Sequence, residues 1–377
     1  MSLMVKRIEL NNFRNYQHYV LSDIDKLTLL LGSNAIGKTN FIEAIQLTTS
    51  LDSFRKPKAD YLCRNGSNFA SVKTEISDGS RDLEVKLTIK EGKKEYFLNN
   101  KRKRARSLRS LLPSVLFSPD DLDLIKGSQS VKRSECDHLG VQLSPNYDSV
   151  RKDWDKLLRQ KNHYLKDYID QSVLVSINDV MSTVGAQLYS LRSNLIKKLT
   201  PYIQEAYCQI AGNNERVEIT YVPSWKRHDI QRDYFQEVEY VSREKAREEL
   251  LRCFTTSFKE EQDRHTTLFG PHMDSIEFFI NGKNAHDFAS QGQQRSLVLS
   301  AKIAEVTFIT DTLNQEPVLL LDDVMSELDS SRRGALLSLI KGSVQTFITS
   351  TNRDYFSEEF LQTARVITLE GDCNGLR

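Results

Sequence analysis

The sequence predicts a mixed α/β fold in which strand-and-helix segments at both ends of the chain enclose a long helical lobe. Three observations predict it. A glycine-bounded loop near the N-terminus stands between an apolar strand and an amphipathic helix, at 27–47. A wholly apolar strand ending in two acids lies far downstream, at 317–323. Between the two, from about Val131, the chain turns to long stripes of apolar residues at helical spacing.

The N-terminal stretch reads Leu27, Leu29, Leu30 and Leu31 as a buried strand, then Gly32, Ser33, Asn34, Ala35, Ile36, Gly37, Lys38, Thr39 and Asn40. A helix follows with apolar residues at Phe41, Ile42, Ala44, Ile45 and Leu47. Gly32, four residues, then Gly37-Lys38-Thr39 is the phosphate-binding P-loop pattern. The glycines let backbone N–H groups close round a triphosphate where a Cβ would clash. Lys38 reaches the β/γ-phosphates, the Thr39 hydroxyl can ligate Mg²⁺, and the helix starting near Lys38 turns its positive end to the anion. A flexible glycine turn before a helix gives the same bare pattern in unrelated proteins. Here the apolar strand and the amphipathic helix that the motif requires stand on either side.

At 377 residues the chain has room for about two or three domains. Hydrophobic content of 39% with 27% charged residues places it with ordinary soluble proteins. No apolar run approaches a membrane span and no signal peptide precedes the first strand, so a cytoplasmic protein is expected. The net charge of +1 selects no class of partner, which leaves any nucleic-acid reading to local clustering. Cys63, Cys136, Cys208, Cys253 and Cys373 are scattered and never at metal spacing; reduced thiols are expected, with neither a zinc site nor a disulfide framework.

In chain order, strands are expected at 5–10 and 18–21 around the turn 11–16, as the opening of a mixed sheet. Alternating strands follow at 70–76, 83–89 and 95–98, with Asp78-Gly79 and Glu91-Gly92 as turns; this meander fits poorly in a purely parallel sheet. The run 101–109 holds six basic residues in nine, either a solvated loop or helix start, or a polyanion contact. A short buried strand is expected at 114–117.

The stripe Val150, Trp154, Leu157, Leu158, Tyr164, Leu165 and Tyr168 predicts a helix over 148–169. A second helix is expected over 177–203, on Ile177, Val180, Met181, Val184, Leu188, Leu191, Leu195, Leu199 and Tyr202, with Pro201 kinking or ending it. Joined by a link at 170–175, the two form an antiparallel helical hairpin. Arg151, Lys152, Lys156, Arg159, Lys161 and Lys166 are expected on its outward face, as a groove or arm for DNA. A strand at 217–222 and a charged helix at 242–261 follow. Strand-and-turn character then returns, with a strand at 276–280, the turn Asn281-Gly282, a long helix opened by 289–294, the acid-tipped strand, a helix at 332–340 and a strand at 345–349.

Four distant stretches carry the chemistry. Asp322, at the end of the strand Val318 to Leu321, would hold Mg²⁺ directly or through water, because a hard cation takes carboxylate oxygen. Asp323 stands where a general base polarises an attacking water. Ser290, Gln291, Gly292 and Gln293 form a Ser-x-Gly-Gln element at a helix N-terminus, a second phosphate-binding device. One γ-phosphate is already held by the chain's own P-loop, so this device is best explained by the nucleotide of a second subunit; an N-cap on a core helix is the plainer alternative. Arg14 and Asn15 either help hold nucleotide or DNA or serve the opening turn.

The order of these elements resembles the ATP-binding-cassette heads of the SMC-like class, and the residues are similar to the RecF family of bacterial recombination mediators. The resemblance rests on LNNFRNY (10–16), GSNAIGKTNFIEAI (32–45), LFSPDDLDLIKGS (116–128), VQLSPNY (141–147), GPHMD (270–274), SQGQQRS (290–296) and LLLDDVMSELD (319–329), nearly the whole chain. It implies an ABC-type P-loop ATPase head with an inserted helical lobe, and the changes of composition along the chain divide it as 1–130, 131–262 and 263–377. It also implies a head-to-head homodimer on ATP that binds gapped, double-stranded and single-stranded DNA and assists RecA loading with RecO and RecR. Met273, Ser275 and the segment 132–140 depart from the family pattern. The histidine that transporters place after the strand following the paired acids is replaced by Ser350 and Thr351, so weak ATP hydrolysis is expected. A transporter subunit predicts a shorter insertion and that histidine, and a nuclease-fused ATPase an added acidic domain. A structural DNA clamp built on another SMC-like head is the alternative, although its coiled coil calls for far more heptads than this arm has.

Overall fold

The computed structural model describes residues 2–167, 171–212, 214–227, 229, 231–340 and 344–369. Along the chain run β1 (Met4–Phe13), β2 (Tyr16–Leu21), β3 (Leu27–Leu31), α1 (Lys38–Thr48), β4 (Phe69–Ser77), β5 (Asp82–Lys90), β6 (Lys93–Leu98), β7 (Lys101–Lys103) and β8 (Ser114–Phe117). Next come α2 (Asp123–Lys126), α3 (Gln129–Leu143), α4 (Pro145–Lys166), α5 (Gln171–Ala211), β9 (Val217–Val222), α6 (Arg243–Thr256) and α7 (Phe258–Arg264). The remainder is β10 (Ser275–Ile280), β11 (Lys283–Asn284), α8 (Ala285–Phe288), α9 (Gln291–Leu313), β12 (Val318–Asp322), α10 (Ser330–Ile340), β13 (Thr346–Ser350), α11 (Glu358–Thr363) and β14 (Arg365–Thr368). The chain divides into two compact units, one of Met1–Asp121 with Glu305–Arg377 and one of Leu122–Ala304. These divisions fall at other points than the boundaries 131 and 262 read from composition.

The first unit holds two sheets. β3 lies in a parallel sheet of order β14-β3-β13-β12-β8, and β1 and β2 lie in an antiparallel sheet of order β2-β1-β4-β5-β6-β7. The opening strands are therefore not neighbours of the P-loop strand, as the expected mixed sheet had them. Their alternation suits a sheet with one covered face, whereas the continuous apolar run of β12 suits a strand buried on both faces. α1 packs on β12 and β13 of one sheet and on β4 and β5 of the other. That two-sided burial explains why Glu43, Gln46 and Thr48 are inside together with Phe41, Ile42 and Ile45. Gln345 pins the sheets to each other: its Oε1 accepts from Val5 N at 2.7 Å and its Nε2 donates to Val5 O at 2.8 Å. The basic run at 101–109 forms the exposed edge strand β7 and a single 3₁₀ turn at Ala105–Ser107, rather than a loop or helix start.

The second unit is mainly helical, with α4 against α5, α5 against α6, and β9–β10–β11 as a small antiparallel sheet. The helix expected to start at 177 begins at Gln171, so the expected link 170–175 is mostly helix; Tyr168, Ile169 and Asp170 lie outside the described residues. Pro201 does not end α5, which runs on to Ala211. Losing one backbone hydrogen bond there costs about 3 kcal/mol. Burial of Ile203, Ala206 and Tyr207 and a bond from Gln204 Nε2 to Val217 O (2.7 Å) offset it. The single helix expected over 242–261 is two, broken at Ser257. Val180, expected in the apolar stripe, is 49% exposed. Lys161, expected on the outward face, is buried and ion-paired with buried Glu261 at 2.7 Å. Arg151 and Lys152 are tied to Asp148, while Lys156, Arg159 and Lys166 are exposed.

The two segments that depart from the family pattern share one buried polar network. Arg192 grips Asp137 with two bonds of 2.8 Å and donates to Pro271 O, and Tyr147 donates to Asp137 at 2.7 Å. Asp274 accepts from Tyr221 (2.5 Å) and Ser224 N (2.7 Å), and Arg133 donates to its carbonyl (2.6 Å). Glu135 pairs with Lys302 at 3.1 Å.

Candidate nucleotide site

In the first unit the loop between β3 and α1 is closed by backbone geometry that only glycine tolerates well. Gly37 has φ 119°, and a Cβ there would lie 2.5 Å from Asn15 Nδ2. At Gly32 a Cβ would meet the Ile36 side chain at 2.9 Å. Ser33, Asn34 and Ala35 form the exposed crest of the loop. Lys38 folds back beneath it and donates from Nζ to Gly32 O (2.8 Å) and Ser33 O (3.1 Å). Burial lowers the Lys38 pKa, against the opposing pull of Asp323 and Asp322.

The order of the parallel sheet, with β13 between β3 and β12, brings the paired acids to the head of α1. Asp322 Oδ1 accepts from Thr39 Oγ1 at 3.1 Å and from Thr349 Oγ1 at 2.8 Å. Burial pushes the Asp322 carboxyl up, and those two hydroxyls only partly restrain it. Asp323 sits in the left-handed region (φ 55°), with its N–H donating to Thr349 Oγ1 at 3.0 Å. Its Oδ1 is buried, with no hydrogen-bond partner among the described residues. An orphaned carboxylate oxygen beside a charged amine is a group arranged for a ligand.

The turn between β1 and β2 braces the loop. Asn15 Nδ2 donates to Ile36 O (2.9 Å), Asn40 Nδ2 to Asn15 Oδ1 (2.8 Å), and Tyr16 OH to Gly37 O (3.0 Å). Arg14 spends its fork on buried Glu43, at 2.9 Å twice, and donates Nη1 to Tyr61 O at 2.8 Å. These bonds hold Arg14 against α1 and Asn15 against the loop. Sequence reasoning missed Tyr16, Glu43 and Thr349. Glu43 carried a signal, as an acid amid the apolar residues of a helix that is buried all round.

In the second unit the Ser-x-Gly-Gln element opens α9, with Ser290 and Gln291 exposed. Ser290 N donates to Gln293 Oε1 (2.8 Å) and Gln293 N to Ser290 Oγ (3.2 Å), a reciprocal capping box. The N-cap alternative is thus present, and it leaves the serine facing solvent.

A P-loop and a paired-acid strand in one parallel sheet, with an antiparallel sheet over the same helix and a helical insertion, define an ATPase head of the SMC class. The chain belongs to the RecF/RecN/SMC N terminal domain family, whose model matches residues 4–374. Among its relatives, the DNA replication and repair protein RecF of Lactobacillus johnsonii is 35% identical over 97% of this chain and 96% of that protein. The RecF of Geobacillus thermodenitrificans is 35% identical over 97% of each. A solved structure described as the recombination mediator protein RecF with ATP, in the RecFOR pathway, matches with TM-score 0.85 at 28% identity, covering 94% of both chains. The Smc head domain of Pyrococcus furiosus, with an extended coiled coil, matches with TM-score 0.54 at 15% identity over 97% of this chain and 93% of that one, a likeness of fold alone.

Proposed function

We propose that this chain is an ATP-dependent, DNA-binding recombination mediator of the RecF type, acting in DNA repair and replication. The observation that carries the reading is the meeting of distant sequence signals in one unit: Thr39 bonded to Asp322, with Lys38 under the loop and the orphaned Asp323 Oδ1 beside them. Gly32 to Asn40 wrap the triphosphate with backbone N–H groups, and Lys38 trades its two carbonyls for the β/γ-phosphates. Thr39 and Asp322 fit Mg²⁺, which takes hard oxygen ligands and leaves most of its shell to phosphate and water. When bound, the ion neutralises phosphate charge. Asp323 Oδ1 accepts a proton from the attacking water, and Ser350 and Thr351 supply no histidine to assist, so hydrolysis is slow and serves as a switch.

Ser290, Gln291, Gly292 and Gln293 close on the nucleotide of a second copy. ATP stabilises that homodimer only as far as it prefers it; a hundredfold preference contributes about 2.7 kcal/mol per site. The paired heads hold gapped, double-stranded or single-stranded DNA through phosphates, largely without regard to sequence. With RecO and RecR they assist RecA loading in the cytoplasm. The relatives named RecF and the RecF–ATP structure support this reading.

Two measurements test it. Ser290→Arg keeps ATP binding and loses ATP-dependent dimerisation. DNA affinity titrated against salt is highest with ATP, lower with ADP or no nucleotide, and falls as salt rises. An affinity indifferent to both nucleotide and salt overturns the reading.

A further inference from the structure

The Ser-x-Gly-Gln element that opens α9, its signature, is held by a carboxylate from a different part of the second unit. Gln293 Nε2 donates to Glu215 Oε1 at 2.5 Å, and Tyr207 OH donates to Glu215 Oε2 at 2.5 Å. Tyr207 lies near the C-terminal end of α5, and Glu215 just before β9. Each of the two carboxylate oxygens thus takes one donor, one from the long arm helix and one from the signature helix. The consequence for Gln293 is specific. Its amide nitrogen is claimed by Glu215 and its amide oxygen by Ser290 N, so the amide has one orientation and cannot flip. Ser290 is then held as the cap of α9, its Oγ accepting from Gln293 N, and Ser290 and Gln291 lie exposed at the start of the helix.

We infer that Glu215 is a positioning residue for the signature element, fixing Gln293 and through it Ser290 in the form that receives a second copy's triphosphate. The inference rests on the shared-nucleotide reading above. A carboxylate does this better than a neutral acceptor, because hydrogen bonds to a charged group are shorter and stronger. Glu215 touches no nucleotide; it acts by sparing the signature the entropy of ordering when the nucleotide arrives. The same carboxylate ties the end of α5 to that element.

The test titrates ATP-dependent dimerisation of full-length wild type, Glu215→Ala, Glu215→Gln and Tyr207→Phe by sedimentation, with binding of a fluorescent ATP analogue to the protomer as the companion measurement. Glu215→Ala weakens dimerisation about tenfold per nucleotide site, the scale of one charge-assisted hydrogen bond, and leaves protomer ATP affinity unchanged. Glu215→Gln retains an oxygen for Gln293 and an amide for Tyr207 but no charge, and recovers part of the loss. Tyr207→Phe falls between them. If wild type dimerises with ATP and Glu215→Ala does so equally well, the inference is overturned while the shared-nucleotide reading stands. If Glu215→Ala loses protomer ATP binding too, its role is general folding and the inference is overturned. A wild type that stays a protomer in ATP removes the reading and the inference together.

Discussion

In the helical unit, fully buried Arg192 is met by a carboxylate, a carbonyl and a tyrosine-braced network. At the P-loop of the other unit, buried Lys38 is met by two carbonyls, and its carboxylate neighbours are turned to hydroxyls or to nothing. Burial works against the Arg192 charge, yet Asp137 beside it holds its pKa well above the ordinary value. Burial draws Lys38 the other way, and Asp323 and Asp322 do not restore it. Around Arg192 the charge is balanced within the chain; around Lys38 it is left underbalanced. Buried charge left half-satisfied is the mark of a ligand site, and buried charge fully satisfied is the mark of a fold.

The contrast breaks most visibly at Arg192. Arg192→Met leaves Asp137 buried without its partner and is expected to cost about 3–5 kcal/mol of stability. Urea unfolding measures that loss, while the fraction still folded binds ATP as before. Lys38→Met gives the reverse: nucleotide binding drops about a hundredfold, two charge-assisted bonds at roughly 1.5 kcal/mol each, and the unfolding midpoint stays at or above that of wild type. A destabilised Lys38→Met would place the lysine with the structural charges.

The smallest effect concerns Asp322, whose folded pKa is raised by burial, opposed by Thr349 and Thr39. A carboxyl raised on folding contributes stability that is fully present below its unfolded pKa and lost as pH rises through the folded value. Stability therefore falls as pH rises and Asp322 ionises. Asp322→Asn, which keeps an oxygen for both hydroxyls, raises nucleotide-free stability at neutral pH relative to wild type. The gain vanishes in acid, where wild-type Asp322 is protonated, and Mg²⁺-dependent hydrolysis is lost at every pH. Thermal unfolding at two pH values reads the first effect and phosphate release the second.

How much of this was legible in the sequence follows from how local each signal is. The P-loop and the acid-tipped strand are written in contiguous residues, and β3, α1 and β12 form where the motifs said. The helical insertion was legible from its stripes, because periodicity survives whatever the helix packs on. Properties decided by a distant partner were not. Lys161 reads as one more basic residue on an exposed face until Glu261 arrives from a helix a hundred positions later. Pro201 reads as a helix end, since nothing nearby announces the burial on either side of it that carries α5 through. Thr349 is an ordinary strand threonine until the parallel sheet sets it beside Asp322. The opening strands were found but given to the wrong sheet, because alternation reports a covered face without naming its neighbour.

The claim on which the rest depends is that one triphosphate is clasped by two copies of this chain, by the P-loop of one and the signature serine of the other. Sedimentation equilibrium of wild type at saturating non-hydrolysable ATP analogue tests it most directly. The expected result is a dimer that dissociates when the analogue is removed. Protomers alone across the whole accessible concentration range would contradict it.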